Sequence, residues 1–178
     1  MKHVVFLNLD ADSSAVITDF WSTLGLVSEV PPHITLASFE NSPAGSGAKI
    51  SSVAQNMAAA VPESPTVRFV SFGMFPGKDR TVLFLAPVVN DPLLDFHKKF
   101  HELAAKEGLA NSKLYTPGNW VPHCTLDERA SDQDAEQMMA GAFGRLKGHM
   151  PIQARLDAFE VLEVGDDSLK SLSRHRMK

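Results

Sequence analysis

The chain has 178 residues, of which 44% are hydrophobic, so it is long and apolar enough to build a core. Its 17 basic and 21 acidic residues give a net charge of −4, which argues against an extended basic face for a long nucleic acid. One cysteine excludes a disulfide scaffold and indicates a reducing compartment, and no apolar run approaches membrane-spanning length. We therefore expect a cytoplasmic monomer with no membrane partner.

The first half of the chain alternates short apolar runs with segments of helical periodicity. Aliphatic residues at helical spacing between Ile50 and Val61 mark the second helix, for example. A cap for the first helix is expected within residues 12–14, Asp-Ser-Ser, and residues 40–48 should form a surface connection rather than a lid. We predict strands at residues 3–9, 33–39, 67–75 and 81–89, and helices at residues 14–24 and 48–60.

The second half opens with a helix that Asp91 is expected to cap, with Pro92 in its first turn, and that ends before Gly108. The remaining predicted elements are a strand that follows a loop at residues 113–119, a helix after Ser131, and strands at residues 151–164 and 168–176. The order β-α-β-α-β-β-α-β-α-β-β is consistent with duplication, and we expect one α+β domain of two lobes over residues 1–178. The basic run at residues 174–178 is expected to be a solvated, frayed end rather than a phosphate clamp.

The pentapeptide Pro-His-x-Thr-Leu occurs twice, at residues 32–36 and 122–126. If each copy is a strand, the histidine and threonine share one face, so His33 lies beside Thr35 and His123 beside Thr125. A repeat that preserves a titratable group beside a hydroxyl indicates two half-sites facing each other across a cleft. We interpret these four residues as a catalytic set; the alternative is that each histidine is an ordinary strand residue.

The paired motifs resemble the His-x-Thr signatures of the 2H phosphoesterase superfamily, which includes the 2′-5′ RNA ligase-like proteins and the cyclic phosphodiesterases. The extended motifs agree, since they read Val-Pro-Pro-His-Ile-Thr-Leu at residues 30–36 and Trp-Val-Pro-His-Cys-Thr-Leu at residues 120–126. The predicted order of elements resembles the superfamily's fold over nearly the whole chain. The resemblance implies a bilobal, pseudo-twofold α+β fold, in which two mainly antiparallel sheets flank a central cleft and the helices lie outside.

Cleavage of a phosphodiester needs a base to activate water, an acid to protonate the leaving oxygen, and donors for the non-bridging oxygens. Two His-x-Thr units can supply these groups, because near neutral pH one imidazole can be neutral and the other protonated. Together with this chemistry, the resemblance implies hydrolysis of 2′,3′-cyclic phosphates on nucleotides or RNA ends, or the reverse 2′-5′ ligation, without a metal or other cofactor. The resemblance implies that His123 is the base and His33 the acid, although the symmetry of the motifs leaves this open.

Recognition of a nucleobase needs aromatic or apolar surfaces beside the cleft. The candidates are Phe39, Phe72, Phe75, Tyr115 and Trp120, although such residues more often belong to a core. Tyr115 is the only tyrosine and lies in the loop before the second motif, where the resemblance implies a ligand contact. The resemblance also implies a phosphate contact near Arg129, although the spacing there departs from the superfamily pattern by one residue.

Other residues with reactive side chains fit less specific roles. His97 and His101 have the i, i+4 spacing of a helical metal pair, but no third ligand is evident, so we expect both at the surface. Cys124 lies between two cleft-facing residues and should face the core. A nucleotide-binding module without catalysis remains the alternative to an enzyme, and no carboxylate cluster supports a third reading, a metal-dependent hydrolase.

Overall fold

The structure of the protein is a computed structural model that describes residues 1–26, 30–78, 80–146, 148–166 and 168–178. The strands are β1 (Lys2–Leu9), β2 (His33–Phe39), β3 (Thr66–Pro76), β4 (Thr81–Pro87), β5 (Cys124–Ala130), β6 (Ile152–Val164) and β7 (Leu169–Arg176). The helices are α1 (Ala11–Thr23), α2 (Ser46–Ala60), α3 (Asp91–Lys106) and α4 (Asp132–Leu146), with a short 3₁₀ helix at Lys113–Tyr115. The predicted order of strands and helices is confirmed.

The described strands pair antiparallel in the order β2-β1-β6-β3-β4-β5, and β7 also pairs with β6. The long strand β6 uses its first part, Ile152–Arg155, to pair with β3 and its second part, Ala158–Val164, to pair with β7. It is therefore shared by two sheets, β2-β1-β6-β7 and β5-β4-β3-β6. Each sheet ends in one motif strand, which confirms the predicted pseudo-twofold arrangement.

The helices cover one face of these sheets and leave the other face to the motif side chains. In β1, Val5 and Leu7 are fully buried in a core that includes Ile17 of α1, Ile50 of α2 and Phe100 of α3. Since residues alternate between faces along a strand, the intervening residues of β1 point away from the helices. Within the described part of the chain, none of the helices is long and apolar enough to span a membrane.

Two helices begin with caps that the sequence placed elsewhere. Asp10, not one of residues 12–14, caps α1 by accepting a 3.1 Å bond from the Ser13 N–H. The same carboxylate accepts a 2.8 Å bond from the backbone N–H of Arg155, so a contact with β6 fixes where the helix begins. In α3 the cap is Asn90, which accepts from the Leu93 N–H at 3.1 Å. A contact with a distant strand thus determines where α1 begins. The residue before the expected start determines where α3 begins.

The C-terminal basic run is not a frayed end. Its first residues belong to β7, where Arg174 pairs with Glu160 and Arg176 with Ala158. Beyond the strand, the Met177 side chain is 8% exposed and its backbone N–H donates a 2.8 Å bond to a carbonyl of β6. The prediction was wrong because strand pairing, which composition does not reveal, orders these residues.

Candidate active site

The first motif lies on β2, at the end of the first sheet. His33 and Thr35 are partly exposed, whereas Ile34 between them is fully buried, as the alternation predicted. The neighbouring strand β1 places Asn8 opposite His33 and Phe6 opposite Thr35. The imidazole and the hydroxyl therefore point away from the helices and share a face with these two side chains.

The second motif repeats this arrangement at the start of β5, with His123 directly before the first residue of the strand. Thr125 and His123 are partly exposed, with Cys124 fully buried between them. Phe84 of β4 lies opposite Thr125, in the position that Phe6 has opposite Thr35 in the first half. The prediction that Cys124 faces the core is confirmed, and burial raises the pKa of its thiol to about 12.

A matched hydrogen bond orients each histidine ring. Nδ1 of His33 lies 2.8 Å from the carbonyl oxygen of Pro31, and Nδ1 of His123 lies 2.7 Å from that of Val121. A carbonyl can only accept, so each Nδ1 carries a proton and donates it to the residue two positions earlier. In the neutral ring this leaves the lone pair on Nε2, the nitrogen that can take or give a proton during a reaction.

The aromatic surroundings of the two histidines differ. The Phe6 ring stacks on His33 with a centroid distance of 3.6 Å and an interplanar angle of 22°. His123 instead lies at steeper angles to two rings, Phe75 at 5.0 Å and Phe84 at 5.3 Å. The two half-sites therefore share their backbone positions but not their immediate packing.

The structure brings the two histidines within electrostatic range of each other. Burial lowers the pKa of His33 to about 4; the hydrogen bond to Pro31 and the Glu160 carboxylate act in the opposite direction, and the charge of His123 lowers it further. Burial also lowers the pKa of His123, against its hydrogen bond to Val121. Near neutral pH both imidazoles of the free protein are therefore uncharged. A bound anionic phosphate would favour protonation of either ring.

Trp120 and Phe39, both expected to contact substrate, are buried. Trp120 is 7% exposed, stacks on His97 at 4.0 Å and donates its indole N–H to the Thr35 carbonyl at 2.9 Å. Phe39 is 1% exposed, because the register between β1 and β2 shifts after Thr35 and turns Phe39 to the face of His3 and the core. Neither ring is available as a platform for a base.

The other two expected contacts have different outcomes. Tyr115 is half-buried in the loop before the second motif, and burial, followed by the charge of Glu40, raises the pKa of its hydroxyl. Tyr115 as a substrate contact stays a prediction. The side chain of Arg129 lies outside the described residues, so its expected phosphate contact also stays a prediction.

The expectation that His97 and His101 lie at the surface is wrong. They are 2% and 9% exposed, because the loop before the second motif folds over this side of α3. His97 Nε2 lies 3.0 Å from the Tyr115 carbonyl, and the Asn111 amide lies 3.3 Å from His101 Nδ1. Among the described residues, no group of three or more histidine, cysteine, aspartate or glutamate side chains could hold a metal ion.

Four residues on the face of the sheets that carries the motif side chains were not identified from the sequence. Phe6, Asn8 and Phe84 lie opposite the motif residues, and Glu160 lies opposite Phe6 on the far side of β1. The Glu160 carboxylate also accepts a 2.7 Å hydrogen bond from the Asn8 amide. Asn8 carried the one available signal, because it is an amide directly after the apolar run at residues 4–7.

This fold corresponds to a known superfamily. The family model of the 2′-5′ RNA ligase superfamily matches residues 9–168. The chain belongs to this superfamily, and the resemblance to the 2H phosphoesterases is confirmed. Membership supports a phosphodiesterase or RNA ligase-like activity.

Solved structures share the fold at low sequence identity. The chain is 15% identical to TT0787 of Thermus thermophilus, with a TM-score of 0.67 over 99% of this chain and 98% of that one. It is 16% identical to E. coli LigT complexed with 3′-AMP, with a TM-score of 0.66 over 99% and 98%. For Kluyveromyces marxianus Usb1 the identity is 13% and the TM-score 0.55, over 96% and 97%. A search of curated proteins found no significant match.

Proposed function

We propose that this protein is a metal-independent phosphodiesterase that acts on 2′,3′-cyclic phosphates of nucleotides or RNA ends, and that can run the reverse 2′-5′ ligation. The observation that carries the proposal is the matched pair of imidazoles. Each has Nδ1 bonded to a carbonyl two residues earlier and a threonine beside it on the same face. An in-line displacement at phosphorus needs such groups on opposite sides.

The proposed reaction uses the four motif residues in complementary roles. A neutral histidine removes a proton from water as the water oxygen attacks phosphorus, and the protonated histidine gives its proton to the departing ribose oxygen. The product carries a phosphate monoester on one ribose oxygen and a free hydroxyl on the other. The hydroxyl groups of Thr35 and Thr125 donate to the non-bridging oxygens, where negative charge grows in the transition state.

The pKa shifts of the two histidines favour one assignment of these roles. The pKa of His33 is lowered to about 4, and that of His123 is lowered without such a large shift. When the pair holds one proton, most of it therefore resides on His123. This favours His33 as the base and His123 as the acid, the reverse of the assignment implied by the resemblance.

A nucleotide fits the site by analogy with a structural relative. Structures of E. coli LigT are described as complexes with 3′-AMP, ATP, NADP+ and phosphate. The same fold here offers hydroxyl and imidazole donors for one phosphate group. We also propose that the reaction belongs to RNA processing in the cytoplasm, a setting consistent with a single buried cysteine.

A second candidate function, nucleotide binding without turnover, is favoured by one observation. Burial leaves both histidines uncharged near neutral pH in the free protein, whereas acid–base catalysis needs one of them protonated. Two neutral imidazoles and two hydroxyls can still bind a phosphate.

Phosphorus NMR of 2′,3′-cyclic AMP incubated with the protein in EDTA distinguishes these candidates. We expect conversion by the wild type and loss of about 10²–10⁴-fold in rate for His33→Ala and for His123→Ala. His149→Ala, an exposed histidine outside the motifs, is the matched control and should retain activity. The product resonance identifies the bond that opens. Binding without conversion would favour the second candidate, and conversion only after metal is restored would contradict the proposed metal independence.

A further inference from the structure

The strand β7 carries two arginines that are linked to the first motif through directly paired residues on the strands between them. Thr35 on β2 lies opposite Phe6 on β1, and Phe6 in turn lies opposite Glu160 on β6. Glu160 lies opposite Arg174 on β7. These four residues form one row across the sheet, which begins at the motif and ends at a guanidinium group.

A second row runs beside the first. His33 lies opposite Asn8, which lies opposite Ala158, and Ala158 lies opposite Arg176. Directly paired residues of an antiparallel sheet project to the same face. Three strand spacings of about 4.8 Å separate β2 from β7, so the arginines stand about 14 Å from the motif strand.

The residues that alternate with the two arginines along β7 show which face of the sheet the arginines occupy. Ser173 and His175 alternate with Arg174 and Arg176, and Ser173 Oγ bonds to Ser51 Oγ of α2 at 2.8 Å. Ser173 and His175 therefore face the helix layer. The arginines project from the opposite face, on which His33 lies.

The arginines are exposed and only loosely paired. Arg174 is 46% exposed and Arg176 is 80% exposed, and they lie 3.6 Å and 3.9 Å from the same Oδ2 of Asp157. One carboxylate cannot balance two guanidinium groups. Glu160, the acidic residue of the first row, lies opposite Arg174, and its carboxylate accepts a hydrogen bond from the Asn8 amide. Asp157 and Glu160 together match the charge of the two arginines, but the exposed guanidinium groups retain several N–H donors that can bind an anion.

We propose that Arg174 and Arg176 bind an upstream phosphate of an RNA chain whose terminal 2′,3′-cyclic phosphate lies between the two motifs. The inference rests on the proposed function and narrows its substrate to an oligonucleotide. A mononucleoside cyclic phosphate has a single phosphate, which the motif residues already hold. A second anion site on the same face therefore requires a second phosphate, and single-stranded RNA supplies one after each nucleotide. Guanidinium groups suit it because they donate forked hydrogen bonds to phosphate oxygens.

The test compares substrates of different length in the wild type and in the double variant Arg174→Gln, Arg176→Gln. The substrates are adenosine 2′,3′-cyclic phosphate, the same compound with a 5′-phosphate, and an adenylate trinucleotide ending in a 2′,3′-cyclic phosphate. We expect the wild type to favour the trinucleotide over the mononucleotide by about tenfold in kcat/KM, and the variant to lose that preference. The salt dependence of log kcat/KM for the trinucleotide should become shallower by about 0.7 for each lost phosphate contact.

Two further variants separate position from charge. Lys106→Gln with Lys170→Gln removes the same two charges elsewhere: Lys106 is in the last turn of α3, and Lys170 pairs with Glu163 on the other face of β7. This control should keep the preference for the trinucleotide. Replacing both arginines with lysine retains the charge and should keep most of the preference.

The outcomes for this inference and for the proposed function differ. If the wild type cleaves the mononucleotide and the trinucleotide equally well, or the glutamine variant keeps the preference, the inference is overturned and the proposed function stands. If the 5′-phosphorylated mononucleotide gains as much as the trinucleotide, the arginines bind a phosphate of the terminal nucleotide, and the assignment to RNA is overturned.

A binding measurement decides the inference if no substrate is cleaved. Fluorescence anisotropy with a labelled trinucleotide ending in a 3′-phosphate requires no turnover. A Kd about tenfold weaker in the glutamine variant would support the arginine site even then. Equal Kd values in the wild type and the variant would overturn it.

Discussion

Trp120 donates its indole N–H to the backbone carbonyl of Thr35 over 2.9 Å, so the segment that precedes the second motif is hydrogen-bonded to the first. The Trp120 ring lies parallel to His97 of α3, with an interplanar angle of 3°. The carbonyl belongs to β2, the last strand of its sheet in the described order. The bond therefore satisfies an edge group and fixes the two half-sites relative to each other.

Replacing Trp120 with Phe should weaken both stability and activity. Phenylalanine keeps a ring against His97 but removes the N–H, so the Thr35 carbonyl loses its partner in a partly buried place. We expect the free energy of unfolding in urea to fall by about 1–3 kcal/mol. The kcat for 2′,3′-cyclic AMP should fall as well, because Thr35, the proposed donor to the phosphate, is less firmly held.

Trp21 provides the control for that substitution. It is 4% exposed, and its indole nitrogen has no hydrogen-bond partner among the described residues. Trp21→Phe makes the same change in size without breaking such a bond, and it should leave kcat unchanged. Equal losses of kcat in the two variants would contradict a role for the Trp120 bond in positioning Thr35.

The lowered pKa values predict an acidic optimum for the reaction. A productive pair holds one proton, so activity falls when both histidines are protonated or both are neutral. As pH falls, the base is lost near the pKa of about 4 assigned to His33. As pH rises, the acid is lost at the pKa of His123, which lies below its ordinary value of 6.5. We expect kcat/KM, measured from pH 3 to 9 by phosphorus NMR, to peak between these limits; an optimum above 7 would contradict the lowered pKa values of both histidines.

Glu160→Gln should move one limb of this pH profile. The Glu160 carboxylate favours the charged form of His33, so its removal should lower the pKa of His33 further. Glutamine retains an oxygen that can accept the Asn8 hydrogen bond. The acidic limb of kcat/KM should therefore shift to lower pH while the alkaline limb stays. A shift of the alkaline limb instead would assign the higher pKa to His33 and reverse the proposed roles.

The two His-x-Thr half-sites were predictable because their signal is local. Each motif contains its histidine and threonine within three residues, and the repeat identifies both copies without knowledge of the fold. Glu160 carries no such signal. It reaches His33 only through β1, and the register that aligns them depends on two strand pairs between distant parts of the chain. Sequence patterns specify the faces of a strand but not which residue of another strand lies opposite.

Two errors have identifiable physical causes. Strict alternation would place Phe39 on the same face as Thr35, but the shift in register between them reverses the faces along the rest of β2. His97 and His101 are polar residues beside an apolar helical stripe, which is usual at a surface. Here the loop that bears Asn111 and Tyr115 folds over them and supplies hydrogen-bond partners, so the buried face of α3 is wider than its apolar residues indicate.

Gly73→Ala tests whether the Phe84 ring supports His123. Gly73 lies opposite Phe84, and a Cβ at Gly73 would stand 2.5 Å from the Cζ atom of that ring, so the ring would have to move. We expect the free energy of unfolding to fall by about 1–3 kcal/mol and kcat to fall with it, because Phe84 contacts His123. Gly141→Ala in α4 is the matched control: nothing lies within 4 Å of its added Cβ, and the protein should gain up to about 1 kcal/mol at unchanged kcat. Wild-type kcat in Gly73→Ala, despite the forced displacement of the ring, would mean that His123 keeps its position through the Val121 hydrogen bond alone.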